Sequence, residues 1–148
     1  MLKTHRVGQG AAPTRSPTAV LVTRRATFAA AHVLARPEWD AARNQDVFGA
    51  CAGDHGHNYV IEVGVLGVPD PQTGMVINLK ELDRVLREAV VEHVDHRHLN
   101  RVAFLDGLVP TAENLARAFW DRLEERLGDR LQKVRLVESE NNSVEVSR

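Results

Sequence analysis

His55-Gly56-His57 is the densest chemistry in this 148-residue chain. On an extended strand, residues i and i+2 project to the same side, so both imidazoles can reach one metal ion. Gly56 between them leaves room for a close backbone approach. A third ligand must come from elsewhere. His32 ends the preceding predicted strand, and antiparallel pairing of the two strands would set the end of one beside the start of the next. Three histidines with one open position form a recognised catalytic zinc arrangement. The plainer alternative is three ordinary hydrogen-bonded histidines. Cys51, four positions before His55, has three readings: a fourth ligand that closes a structural zinc site, a thiolate base or nucleophile beside the metal, or a small buried apolar residue. The glycines and aspartate around it (Gly49, Gly53, Asp54) favour an exposed loop.

Asp95-His96 is the second cluster. A carboxylate beside an imidazole fixes its tautomer and raises its basicity, which suits proton transfer near neutral pH. The alternative is a helix-end histidine favoured by the helix dipole. His93 and His98 flank the pair. Glu113 and Glu138 read first as solvated acids, but Glu138 shares a strand face with Val134 and Leu136, and a carboxylate buried there needs a partner.

Simple elements must position these groups. Residues 1 to 18 are rich in Gly, Ala, Pro, Thr and Ser without apolar period, and read as a mobile tail before a single domain of residues 19–148. A strand is expected over Val20 to His32, then an irregular stretch through residues 35–50, then a second strand from about His57 to Val68. Val68 to Gly74 is a turn by composition. Asn78, with Glu81 three residues on, predicts a capping box for a helix that ends near Asp95-His96, with Leu79, Leu82, Leu86, Ala89, Val90 and His93 on its apolar face. A second helix starts after Pro110 with Thr111 as cap, carries Leu115, Ala118, Phe119, Leu123 and Leu127, and stops at Gly128. Strands Leu131 to Glu138 and Ser143 to Val146 flank a Glu140-Asn141-Asn142 turn. The order strand-strand-helix-helix-strand-strand predicts an α+β domain: an antiparallel sheet with helices on one face and edges suited to closure by oligomerisation.

Composition narrows the class. With 43% hydrophobic and 26% charged residues and a formal net charge of -1, the chain reads as a soluble globular protein with no nucleic-acid partner expected. No apolar run has membrane-spanning length, and no secretory signal pattern opens the sequence. One cysteine forbids an internal disulfide and fits a reducing, cytoplasmic setting.

Taken in order, the motifs resemble the 6-pyruvoyl-tetrahydropterin synthase and 6-carboxytetrahydropterin synthase family over residues 20 to 146. They are Phe28-Ala-Ala-Ala-His32, Cys51-Ala-Gly-Asp-His55-Gly-His57-Asn-Tyr59, Asp70-Pro-Gln-Thr-Gly74-Met, Asp95-His96-Arg-His-Leu99-Asn100, Pro110-Thr-Ala-Glu113-Asn114 and Val137-Glu138-Ser139. The resemblance implies a tunnelling fold whose barrel closes between subunits, usually a homohexamer of two trimers with interfacial active sites. It implies 7,8-dihydroneopterin triphosphate as substrate, and zinc held by His32, His55 and His57. Cys51 would be the general base, Asp95 and His96 a second acid/base group from a neighbouring subunit, and Glu138 the anchor of the pterin ring. Glu113 would lie at the pocket wall. The basic residues that hold the triphosphate are not identified by sequence, although Arg24 and Arg25 are available on an early strand.

Within the family the signals divide. The three-residue gap between Cys51 and His55 resembles the carboxy type, whereas Gly74-Met-Val-Ile-Asn-Leu79 and Glu140-Asn-Asn142 resemble the pyruvoyl type. Cys51, in place of the Glu of a folate-linked subgroup, points away from that branch. The expectation drawn is a 6-carboxytetrahydropterin synthase serving 7-deazaguanine and queuosine synthesis, with 6-pyruvoyl-tetrahydropterin synthase as the alternative. A non-catalytic, zinc-stabilised pterin-binding module with Cys51 as fourth ligand is the alternative of another class.

Overall fold

A computed structural model describes residues 16–148. The expected tail lies, as far as residue 15, outside the described residues. The elements run β1 (Val20–His32), α1 (Ala41–Phe48), β2 (His55–Gly67), α2 (Leu79–Leu86), a π-helical turn (Arg87–Val91), α3 (Glu92–Val94), β3 (Arg97–His98), α4 (Ala112–Leu127), β4 (Leu131–Ser139) and β5 (Asn142–Ser147).

The sheet order is β3-β1-β2-β4-β5. The four long strands pair antiparallel, as alternation of apolar and polar residues predicts. Phe28, Ala30, Tyr59, Ile61, Val63, Val134 and Leu136 turn inward against the helices and are buried. From α4, Leu115, Phe119, Leu123 and Leu127 meet them. Thr111 caps α4 by accepting from Asn114 N, and Gly128, at φ 56°, ends it in the left-handed region that favours glycine.

Three expectations need correction. The stretch over residues 35–50 is not irregular throughout: Asp40 accepts from Arg43 N and starts α1, and Trp39 packs on Phe48. Short helices of this kind escape periodicity because α1 buries no residue, so it has no apolar stripe to detect. The sheet is also not wholly antiparallel, since the two-residue β3 pairs parallel with Ala30 and Ala31 of β1. Finally, Asn78 caps α2 through Lys80 N, but Glu81 does not complete a capping box; its carboxylate takes the Arg84 guanidinium instead.

The π-helical turn explains a further difference. One extra residue per turn rotates everything beyond it around the helix axis. The inward face therefore passes from Ala89 and Val90 to Val91 and Val94, and His93 is left exposed. The helix still ends where expected, at Asp95.

Candidate metal and acid-base site

Register assembles the histidines. His32 is directly opposite His55 across the β1–β2 ladder, and Ala30 is opposite His57. Gly56 sits against Ala31 in the same ladder, and a Cβ there would lie 2.9 Å from the Ala30 carbonyl oxygen. Only glycine permits that approach without displacement.

Two of the three rings are aimed by their second nitrogen. His32 Nδ1–H donates to the Pro110 carbonyl at 2.8 Å, and His55 Nδ1–H donates to the Gly53 carbonyl at 2.8 Å. A carbonyl can only accept, so both rings carry their proton on Nδ1 and present a bare Nε2 lone pair. Those two Nε2 atoms lie 3.0 Å apart. His57 Nε2 is buried and has no hydrogen-bond partner. One donor atom from each histidine falls within 4.8 Å of the others. Facing lone pairs repel unless a proton or cation lies between them, so the donor set fits a metal ion. His32 is 1% exposed, and burial pulls its pKa below the ordinary histidine value, which favours the neutral ligand form.

Supports surround the cluster. Asn100 grips the backbone just beyond His32, accepting from Val33 N and donating to Val33 O at 2.9 Å each. Tyr59 stacks on Phe28 beneath His57, and burial pushes its phenol pKa upward. Glu138 stands on the same inward face, as its phase with Val134 and Leu136 predicts. Its side chain is 20% exposed, with Oε1 4.0 Å from His57 Nε2.

Cys51 lies on a 3₁₀ turn (Gly49–Ala52) and is exposed, outside the three-histidine group. Asp95 and His96 do form a pair: Asp95 Oδ1 is 3.0 Å from His96 Nδ1 and accepts from Ala29 N at 3.0 Å. The Ala29 bond, followed by the His96 bond, holds the Asp95 carboxyl below the usual carboxylate range. His96 has φ 56° and a side chain that is 84% exposed. A non-glycine residue in that region costs about 1 kcal/mol, and such strain gathers at functional positions. Glu113 is exposed in the first turn of α4.

Sequence reasoning missed the pairing of His98 Nε2 with Asp54 Oδ1 at 3.0 Å. It ties β3 to the segment just before His55. No local pattern signals it, because 44 residues separate the partners.

Comparison with known proteins places this geometry. The family model described as 6-pyruvoyl tetrahydropterin synthase matches residues 21–148. The chain belongs to that family. It is 40% identical to a 6-pyruvoyl tetrahydrobiopterin synthase of Dictyostelium discoideum over 126 residues, covering 84% of this chain and 93% of the relative. It is 39% identical to that of Homo sapiens over 127 residues, covering 83% and 88% respectively. The solved structure of the Caenorhabditis elegans 6-pyruvoyl tetrahydropterin synthase superposes with a TM-score of 0.83 at 33% identity, covering 89% of this chain and 97% of that one. The family's tunnelling fold and its lyase class therefore apply here. The similarities favour the pyruvoyl type over the carboxy type expected from the Cys51–His55 gap. That gap lies on an exposed turn, where length varies freely, and so it discriminates poorly.

Proposed function

We propose that this protein is a zinc-dependent 6-pyruvoyl tetrahydropterin synthase, which eliminates triphosphate from 7,8-dihydroneopterin triphosphate. The observation that carries this reading is the inward-facing nitrogen set of His32, His55 and His57, with Glu138 at its rim, in a chain of this family. Three convergent imidazoles with room for a further ligand suit zinc in a catalytic setting. When bound, zinc supplies Lewis-acid polarisation of a substrate side-chain oxygen. Cys51 takes the side-chain proton. His96, its ring held by Asp95, returns a proton as triphosphate leaves. Glu138 accepts two parallel hydrogen bonds from the guanidine-like edge of the pterin. Glu113, in the first turn of α4 just beyond the Pro110 carbonyl that orients His32, stands at the pocket wall. The working unit is a hexamer of two trimers, in which His96 serves a neighbouring subunit's histidines.

Metal-loaded protein incubated with 7,8-dihydroneopterin triphosphate should release triphosphate and a 6-pyruvoyl product without acetaldehyde. Acetaldehyde with a carboxy product would restore the carboxy reading. Cys51→Ala should retain metal and lose turnover by about 10²-fold or more, the scale of a positioned acid or base. Loss of both metal and fold in that variant would instead indicate a four-ligand structural site and a binding module without turnover.

A further inference from the structure

Two adjoining cavities share His96, Arg97 and His98 as walls. The first, about 560 Å³, also meets His57 and Asn58. The second, about 530 Å³, extends from the same turn toward His93 and Arg101, with Glu92 as the one acidic residue of its lining. Most arginines elsewhere are committed. Arg24 is held by Asp83, Arg36 by Glu38, Arg84 and Arg126 by Glu88, Arg87 by Asp83, Arg135 by Glu62, and Arg148 by Glu124. Arg97 and Arg101 make no ion pair or side-chain hydrogen bond among the described residues. Both are exposed.

Two unpaired guanidiniums walling one cavity repel each other and gain from a shared anion. Each can present parallel N–H donors to phosphate oxygens. We propose that Arg97 and Arg101 form an oligophosphate-binding site, which holds the triphosphate arm of the substrate while His96 acts at the adjoining carbon. The proposal rests on the functional reading above for the identity of the substrate. Of the two arginines that sequence leaves available on β1, Arg24 is taken by Asp83, to which it donates through Nε at 3.0 Å and Nη2 at 2.9 Å, and Arg25 lines neither cavity. It also accounts for the placement of the pair. Arg97 follows His96 directly and Arg101 closes the 3₁₀ turn Leu99–Arg101, so both travel with the acid/base group to whatever substrate it meets.

The test uses metal-loaded full-length protein, with inorganic triphosphate as probe in calorimetry and substrate turnover in parallel. Metal content is measured before and after, because triphosphate also chelates cations. Arg97→Ala or Arg101→Ala should weaken triphosphate binding and raise KM about tenfold each, and the double variant about 100-fold, with a smaller change in kcat. Arg97→Lys and Arg101→Lys should recover part of the loss. Arg117→Ala, which removes an arginine outside this cavity, should change nothing. Equal triphosphate affinity and equal KM in wild type and folded double variant would overturn the site and leave the functional reading standing. Triphosphate binding that depends on both arginines, in a protein that does not turn over the substrate, would overturn the functional reading and keep the site.

Discussion

At the scale of single residues, the proposed proton-handling pair, Asp95 and His96, is the more finely tuned part of the site. Asp95 is held below the usual carboxylate range chiefly by Ala29 N–H and then by His96. A depressed carboxyl contributes stability above its unfolded pKa of about 3.9, and that contribution is lost as pH falls through the lower folded value. Asp95 therefore favours the folded state throughout the neutral range, where it stays ionised and keeps His96 oriented, and that contribution fades only as the medium becomes acid. Asp95→Asn should keep the fold at neutral pH and lower turnover by about 10²-fold or more. Its acid unfolding curve, followed by circular dichroism below pH 4, should be flatter than that of the wild type. An unchanged acid limb would mean that the Ala29 contact does not govern this carboxyl.

The elements determine how close the three candidate metal-binding histidines come. β1 and β2 meet where Gly56 lies against Ala30 and Ala31, and this contact sets the spacing of His32, His55 and His57. Gly56→Ala must shift one strand, because the obstructing atom is a backbone oxygen rather than a flexible side chain. Urea unfolding of the metal-free variant should show a loss of about 1–3 kcal/mol, the usual cost of an overpacked site. Its metal affinity should fall as well, since the nitrogens separate. The π-helical turn in the preceding helix has a parallel role. By rotating Val91 and Val94 inward it delivers the chain to Asp95 in the direction that β3 requires.

At the scale of the whole molecule, the sheet is open. β3 and β5 are its edges, and the histidine cluster and the exposed His96 ring present themselves near the β3 side. An unpaired five-stranded sheet invites edge pairing, and the tunnelling fold closes by association. Sedimentation velocity at micromolar concentration should give a species larger than a dimer, with the hexamer as the expected end point. A monomer that turns over substrate would refute the interfacial site. None of the helices described is long and apolar enough to cross a membrane.

Much of this was legible from local pattern. Alternation along β1, β2 and β4 predicted which faces are buried, and it placed His55, His57 and Glu138 on the inward side because side-chain direction in a strand follows parity alone. The caps at Asn78 and Thr111 and the stop at Gly128 were equally local. The short helix α1 was hidden because it buries nothing. The π-helical turn was hidden because one added residue breaks a period without leaving a mark in composition. Residue types and spacing alone determined that His32, His55 and His57 could serve one ion. Only the tertiary structure decided that they do converge, through a ladder that sets His32 against His55 and carbonyls of Pro110 and Gly53 that turn both Nε2 atoms inward. The same holds for several arginines: sequence offered many, and long-range ion pairs took Arg24, Arg126, Arg135 and Arg148, because a guanidinium's availability depends on carboxylates brought near it by folding.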